Sequence, residues 1–136
     1  MIHIPAAATE AELTIDCSDL YARASQEIPL LIGIRPNGPY TMRDFDEAGG
    51  LHALLKEVKD DLDISCLTVN GKTLGENIDA AVNKNPEVIR HRDNPLDTEG
   101  GLVLLKGNIA PEGTFVKKSA VPKELLHFRG KARVFY

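Results

Sequence analysis

The sequence changes character once, at a stretch from Asn83 to Gly101 in which no regular hydrophobic pattern survives. Asn, Pro, Arg, Asp and Gly dominate this stretch, which is typical of a linker or a long crossing loop. Before it, apolar residues recur mostly at helical spacing, and after it they form short runs of strand length. The residues therefore predict an α/β part followed by a β part within one chain of 136 residues.

Helix signals recur through the first part of the chain. Asp and Thr accept hydrogen bonds from the first turn of a helix, Pro is tolerated there, and an acidic residue three positions after Thr completes a capping box. The start signals are, in chain order, Pro5, Asp16 or Ser18, the pair Thr41 and Asp44, and the pair Thr73 and Glu76. The first of these helices is predicted to reach Leu13.

Gly49 and Gly50 interrupt the helix predicted after Thr41, and a clearer helical pattern follows them. Its apolar residues fall at i, i+3, i+4 and i+7 and so form one stripe, made of Leu51, Leu54, Leu55 and Val58. In the helix after Thr73, similar spacing directs three residues inward, which are Leu74, Ile78 and Val82.

Short apolar runs predict strands on both sides of the irregular stretch. Residues 29–34 form a continuous apolar run, which is typical of a strand buried on both faces. Residues 66–69 form a shorter run that ends at the turn formed by Asn70 and Gly71. After the irregular stretch, strands are predicted at 102–105, 114–117 and 133–136.

Charge and cysteine content exclude several classes of protein. The formal charge is −4, and the basic residues near the end of the chain alternate with apolar ones, so no nucleic-acid-binding surface is predicted. No apolar run is long enough to cross a bilayer, and the first residues show no signal peptide. Cys17 and Cys66 form neither a disulfide framework nor, with the scattered histidines, a metal-binding motif. We expect a cytoplasmic protein with reduced thiols and no membrane partner.

Four phrases in the sequence are too specific to be generic. They are HIPA at 3–6 with AE at 11–12, RPNGPYTMRDFDEAGG at 35–50, CLTVNGKTLGEN at 66–77, and DNP at 93–95 followed by GGLVLLKGNIAPEG at 100–113. In this order they resemble the phrases LH-PA-A-EA, KPSG-Y-M-D-AGG, TV-GKT-EN and DNP…GGL-L-GN-AP-G of the dihydroxy-acid dehydratase and phosphogluconate dehydratase family. The resemblance covers nearly the whole chain.

The resemblance implies a hydro-lyase, which removes water from a 2,3-dihydroxy acid and yields a 2-keto acid by way of an enol. Members of this family use an iron–sulfur cluster as a Lewis acid on the leaving hydroxyl, with a magnesium ion, because hydroxide is a poor leaving group. The resemblance also implies a homo-oligomer. The phrase NGKTLGEN leans slightly toward the sugar-acid members, and the other phrases fit the enzyme of branched-chain amino-acid biosynthesis equally well.

The resemblance further implies an internal segment of such an enzyme. In the family three cysteines of an earlier region hold the cluster, and neither Cys17 nor Cys66 lies in such a motif. The implied fold is the end of a large α/β domain at 1–82, a linker at 83–100, and the first strands of a β-barrel-like swivelling domain at 101–136. The rest of the dehydratase chain is then the partner of this segment, and the segment itself is expected to bind no cofactor.

No catalytic or metal-binding residue is predicted in the chain, but Lys72, Thr73 and Asn108 are predicted to lie near the cleft of the complete enzyme. By composition, the turn before Thr73 is either a helix cap or an anion site made of backbone N–H groups. Two functions stay open. One is a dehydratase segment that is inactive alone, and the other is a stand-alone, non-catalytic binding or interaction module derived from the family.

Overall fold

The computed structural model describes residues 3–135. Within this range the α-helices are α1 His3–Glu10, α2 Cys17–Glu27, α3 Met42–Glu47, α4 Gly50–Glu57 and α5 Leu74–Asp79. The strands are β1 Leu102–Leu105 and β2 Thr114–Lys117, and 3-10 turns occur at Lys59–Asp61, Lys118–Ala120 and Lys123–Leu125. No helix of the described range is long and apolar enough to cross a membrane. Helices precede strands as predicted, which confirms a mixed helix and strand fold, while the barrel-like second domain stays a prediction.

The helices begin where the capping residues predict. Asp16 rather than Ser18 caps α2, with its Oδ1 accepting the Asp19 N–H at 3.0 Å. Thr41 and Asp44 form the capping box of α3, in which the Asp44 N–H donates to Thr41 Oγ1 at 3.2 Å and the Thr41 N–H donates to Asp44 Oδ2 at 2.6 Å. The hydrogen bonds from Thr41 hold the pKa of the Asp44 carboxyl below its usual value.

The glycine pair separates α3 from α4 and brings both helices against the segment that follows α5. Gly49 has a φ of 123° and Gly50 a φ of 61°, conformations that residues with a side chain rarely adopt. A Cβ at Gly49 would lie 2.5 Å from the Val82 carbonyl oxygen, so only glycine allows this approach. The Lys84 N–H then donates to the Ala48 carbonyl at 2.8 Å.

The most deeply buried large side chains belong to the irregular segment and not to a helix. Val88 is 2% exposed and Ile89 is 0% exposed. Both pack with buried residues of the α3–α4 pair, which are Phe45, Ala48 and Ala53. Residues 83–100 therefore contain no helix or strand but supply the centre of the core. We call residues 83–100 the crossing segment.

The apolar run at 29–34 is extended but does not join a sheet, which corrects the predicted strand. It contacts the crossing segment through isolated bridges, such as the one between Ile32 and Ile89. The Arg90 N–H donates to the Leu31 carbonyl at 2.8 Å. Because the partner segment is irregular, the hydrogen-bond ladder ends after each bridge.

The strand predicted at 66–69 is likewise reduced to one bridge, between Leu67 and Thr73. The strand predicted at 133–136 is not formed over residues 133–135, and Tyr136 lies outside the described residues. Neither segment has a neighbouring strand in the described part of the chain to complete a ladder. Within residues 133–135, the Arg133 guanidinium lies over the Phe135 ring, 5.2 Å from its centroid.

Some helices differ from the sequence prediction in their length or in the residues that they bury. The first helix ends at Glu10, short of Leu13. In α4, Leu51 of the predicted stripe is 59% exposed, while Ala53, which is not part of that stripe, is 1% exposed and packs with Phe45 and Ile89 in the core. Helix α5 stops before Val82, which is exposed, because Lys56 Nζ binds carbonyl groups at the helix end, those of Asp79 at 2.5 Å and Ala81 at 2.9 Å.

The two predicted strands after the crossing segment are confirmed and form a hairpin that packs on α2. β1 and β2 are antiparallel, and their register pairs Leu102 with Lys117. The Tyr21 ring of α2 meets the Phe115 ring of β2 edge-on, with 5.5 Å between the ring centroids. The Ser25 hydroxyl of α2 donates to the Leu102 carbonyl of β1. The second part of the chain is thus anchored to the first through one helix.

Replacing Ile89 by Ala should destabilise the chain strongly, because the side chain is fully buried. We expect the free energy of unfolding to fall by about 2–5 kcal/mol. The matched control is Ile109→Ala, at a side chain that is 96% exposed, and its effect should stay within about 0.5 kcal/mol. Urea unfolding followed by circular dichroism measures both variants. Equal losses would contradict the place of Ile89 in the core.

Candidate functional site

The turn from Thr68 to Thr73 carries the predicted site residues Lys72 and Thr73, and side-chain amides hold it. Asn70 Oδ1 accepts the Lys72 N–H at 3.0 Å, and Asn70 Nδ2 donates to Asn77 Oδ1 at 2.8 Å. The Asn77 amide also donates to Thr68 Oγ1 at 2.7 Å. These hydrogen bonds fix the turn to the side of α5.

Thr73 and Glu76 form the predicted capping box of α5. The Glu76 N–H donates to Thr73 Oγ1 at 3.1 Å, and the Thr73 N–H donates to Glu76 Oε2 at 2.7 Å. The hydrogen bonds from Thr73 hold the pKa of the Glu76 carboxyl below its usual value. The stabilisation from this carboxylate is therefore present above the pKa of the unfolded chain and is lost as the pH falls through the lower pKa of the folded chain.

Every backbone N–H from Gly71 to Asn77 already donates to an acceptor within the chain. In chain order the acceptors are Thr68 O, Asn70 Oδ1, Glu76 Oε2, Cys66 O, Ile64 O, Thr73 Oγ1 and Thr73 O. An anion at this turn would have to displace these hydrogen bonds. The geometry therefore favours the helix-cap interpretation of the turn over anion binding.

The Lys72 ammonium is the group of this turn that stays accessible to a ligand. The residue is exposed, and its Nζ forms no hydrogen bond or ion pair with another residue of the range 3–135. Asn108 lies elsewhere, in the turn between β1 and β2, where Gly107 and Ala110 exchange backbone hydrogen bonds of 3.2 and 3.1 Å. No hydrogen bond in the described part of the chain joins Asn108 to Lys72 or Thr73, which are neighbours in the sequence.

Two clefts of moderate size lie on the helical part of the chain. One, of about 290 Å³, is lined by Tyr40, Asp44, Glu47, Ala48, Lys84, Asn85 and Val88. The other, of about 250 Å³, is lined by Lys56, Lys59, Ile64, Gly75, Glu76, Ile78 and Asp79. Neither lining contains a serine, cysteine or histidine, so neither cleft offers a serine or cysteine nucleophile activated by a histidine. Lys72, Thr73 and Asn108 line neither of them.

The two cysteines do not fit the ligand set of an iron–sulfur cluster. Thiolate is the form that binds metal, and the contact of Cys66 with the Asp63 carboxylate raises the pKa of its thiol and so favours the protonated form. Cys17 is half-buried at the start of α2. Within the described range, no group of three or more His, Cys, Asp or Glu side chains is placed to hold a metal ion.

The polar contacts between α4 and the crossing segment could not be predicted from any pattern in the sequence. Glu57 at the end of α4 accepts from Asn83 Nδ2 at 3.2 Å and lies 3.0 Å from His91 Nδ1. Arg92 forms an ion pair with Asp61 in the following 3-10 turn. The partners are 26, 34 and 31 residues apart, separations that no helical or strand period links. The contacts hold the crossing segment in place.

Two family models match the chain. The model described as Dihydroxy-acid/6-phosphogluconate dehydratase N-terminal matches residues 1–77, and the corresponding C-terminal model matches residues 87–136. Curated relatives named dihydroxy-acid dehydratase are 49% identical in Agathobacter rectalis, 46% in Methanobrevibacter smithii and 47% in Carboxydothermus hydrogenoformans. The alignments cover 99%, 98% and 99% of this chain and 24%, 24% and 25% of the relatives. The chain thus spans about a quarter of the length of these curated relatives.

Cys66 should become more reactive when its acidic neighbour is neutralised. The hydrogen bond to the Asp63 carboxylate and its negative charge both raise the pKa of the thiol, and Asp63→Asn weakens the first and removes the second, so more thiolate forms at a given pH. We expect the pH profile of iodoacetamide alkylation at Cys66 to move to lower pH, with Cys17 in the same sample as the internal reference. Ser65→Ala is the matched control, because it removes another partner of Asp63 but leaves the carboxylate charge in place. An unchanged profile in Asp63→Asn would show that Asp63 does not control this thiol.

Thr73→Ala should remove the cap of α5 and lower the free energy of unfolding by about 1 kcal/mol. The loss should shrink at acidic pH, where Glu76 is protonated and its half of the capping box is already weakened. Lys72→Ala and Thr98→Ala, both at exposed residues, are controls with an expected change below about 0.5 kcal/mol. Urea unfolding at neutral and acidic pH measures all three. A loss at Lys72 equal to that at Thr73 would argue against the capping role.

Proposed function

Because this chain belongs to the dihydroxy-acid/6-phosphogluconate dehydratase family, we propose that it is a segment of a hydro-lyase that converts 2,3-dihydroxy acids to 2-keto acids. The observation that carries this proposal is the match of both family models, in order, together with relatives named dihydroxy-acid dehydratase. These names favour a dihydroxy acid as the substrate, and a branched-chain precursor is the dihydroxy acid that the family resemblance implies. A sugar acid is the alternative substrate, on the wording of the phrase at 66–77.

We propose that the segment is inactive on its own, for a reason of ligand chemistry. Expelling hydroxide from a dihydroxy acid requires a Lewis acid, and the family is expected to use an iron–sulfur cluster and magnesium for this purpose. The chain has two cysteines, and Asp63 favours the protonated form of one of them, Cys66. The ligands would therefore come from the three quarters of the relatives that this chain does not cover.

We propose a division of the chain into the end of an α/β domain at 1–82, a linker at 83–100 and the start of a β-barrel-like swivelling domain at 101–136. Three observations support it. The two family matches stop at 77 and resume at 87, the crossing segment has no regular structure, and the β1–β2 hairpin follows it directly. In this arrangement the crossing segment is both the connection and a part of the first domain's core.

We propose that Lys72, Thr73 and Asn108 approach the cleft of the complete enzyme. Support comes from the turn at 68–73, whose hydrogen bonds hold the backbone rigidly and leave the Lys72 ammonium accessible. A compact charge in that position can bind the carboxylate of an acid substrate. Thr73 would position the turn through its capping box, and Asn108 would present an amide from the β1–β2 turn.

We also propose that the rest of the dehydratase chain is the partner of this segment in a cytoplasmic homo-oligomer. The modest negative charge of −4 supports an enzyme rather than a nucleic-acid-binding protein. Exposed apolar residues beyond β2, which include Leu126, Phe128 and Phe135, support further chain packing against this region.

A segment exchange tests the proposed function. The quarter of the Agathobacter rectalis relative that aligns with this chain is replaced by it, and the chimera is purified anaerobically. We expect the chimera to contain iron and to form keto acid from a branched 2,3-dihydroxy acid, because the segment would supply the packing that the rest of the enzyme needs. The isolated 136-residue chain, given iron and sulfide, should form none. An aldonic acid, assayed in parallel, decides between the two substrate classes.

Two variants of the chimera sharpen the test. Ile89→Asp buries an unpaired charge in the core and should abolish activity through misfolding. Lys72→Ala should raise KM and leave stability unchanged if Lys72 binds the substrate carboxylate, with Thr98→Ala as the control at another exposed residue. A folded, iron-containing chimera that dehydrates neither acid would overturn the proposed function. Activity of the isolated chain would overturn only the proposed inactivity.

A further inference from the structure

The sequence contains two Asn–Gly pairs, at Asn37–Gly38 and Asn70–Gly71. In such a pair the glycine nitrogen can attack the asparagine side-chain carbon Cγ, because no Cβ crowds the nitrogen. Ammonia leaves, a succinimide ring forms, and water opens the ring to aspartate or isoaspartate. The net change exchanges a side-chain amino group for a hydroxyl group, and the reaction requires only water.

At Asn70, both reacting groups are already held by hydrogen bonds. The side-chain carbonyl accepts the Lys72 N–H at 3.0 Å and the Thr68 hydroxyl at 2.7 Å, and the side-chain amide donates to Asn77 Oδ1 at 2.8 Å. The attacking nitrogen of Gly71 donates to the Thr68 carbonyl at 3.0 Å. Attack at Asn70 must therefore first break several hydrogen bonds.

At Asn37 neither reacting group is held in this way. The Asn37 side chain is exposed and forms no hydrogen bond with another residue of the described range. The Gly38 N–H has no acceptor among residues 3–135, although the Asn37 N–H itself donates to the Ile34 carbonyl at 2.9 Å. Asn70 is exposed as well, so solvent access does not separate the two sites. The two sites differ instead in the hydrogen bonds that hold their reacting groups.

We propose that Asn37 is a site of spontaneous deamidation in the folded chain and that Asn70 is protected by its own hydrogen bonds. The inference is independent of the proposed function, since it rests on the backbone and the side chains of these two turns alone. Deamidation would place a negative charge in the loop at 35–39. The isoaspartate product would also lengthen the main chain beside Gly38, where a Cβ would lie 2.0 Å from the Gly33 carbonyl oxygen and the backbone is already tightly packed.

Peptide mapping by mass spectrometry tests the proposal on the full 136-residue chain. The chain is incubated in mildly alkaline buffer, once native and once in guanidinium chloride, and the deamidated fraction is followed at each asparagine. In the native sample we expect Asn37 to react at least about tenfold faster than Asn70, since several hydrogen bonds of about 1 kcal/mol each must break at Asn70 and about 1.4 kcal/mol corresponds to tenfold. In denaturant the two rates should become similar. Asn94 is the zero reference, because the following Pro95 has no N–H to attack with.

The pair of substitutions Thr68→Val and Asn77→Ala separates protection by hydrogen bonds from other causes. It removes the side-chain partners of Asn70 and should raise the native rate at Asn70 toward that at Asn37, which should not change. Asn37→Gln should abolish the fast reaction and leave Asn70 slow. Equal native rates at the two sites, or a rate at Asn70 that the double substitution leaves unchanged, would overturn the proposal.

Discussion

The described structure depends on the insertion of Val88 and Ile89 beneath the α3–α4 pair. Helices of six to eight residues, as α3, α4 and α5 are, have little stability of their own and need tertiary packing. The crossing segment supplies that packing: Ile89 is fully buried, and its backbone meets the extended run at Ile32. The Asn83 side-chain amide donates to both Glu57 and the Ile89 carbonyl, so that polar and apolar contacts both hold Ile89 in place. Without this insertion Phe45, Ala48 and Ala53 would lose the side chains that cover them.

Local features such as helix caps could be predicted from the sequence, but which segments pack against each other could not. The capping boxes at Thr41 and Thr73, the kink at Gly49 and the two hairpin strands involve residues close together in the chain, so spacing alone identifies them. The run at 29–34 has the composition of a buried strand, but whether it joins a sheet depends on its neighbour. That neighbour is the crossing segment, whose irregular composition conceals two core residues, Val88 and Ile89. Composition describes a segment and says little about what packs on it.

The turn before α5 shows the same limit for the candidate site. Its sequence, with an Asn–Gly turn, a lysine and a helix start, suits either a cap or an anion site. The choice depends on whether the N–H groups are free, which only the fold reveals. Here Asn70, Thr73 and Glu76 take up part of the donors, and the carbonyl groups of Ile64 and Cys66 take up others. A turn held by hydrogen bonds, with one accessible ammonium group on Lys72, is what remains for a ligand.

The connection between the two parts of the chain is narrow, which supports the proposal of a swivelling second domain. The β1–β2 hairpin is held to α2 by the aromatic pair of Tyr21 with Phe115 and by the hydrogen bond from Ser25 to the Leu102 carbonyl. It is held to the crossing segment by Lys118, which binds Asp97 at 2.9 Å and Glu99 at 3.1 Å. The same ion pairs raise the pKa of Lys118 and lower that of Asp97, but ion pairs that are exposed to solvent contribute little to stability. Small interfaces of this kind permit relative motion of domains by default. The buried core is therefore what fixes the first part of the chain, and the second part depends for its position on a few surface contacts and on whatever chain packs against its exposed apolar residues.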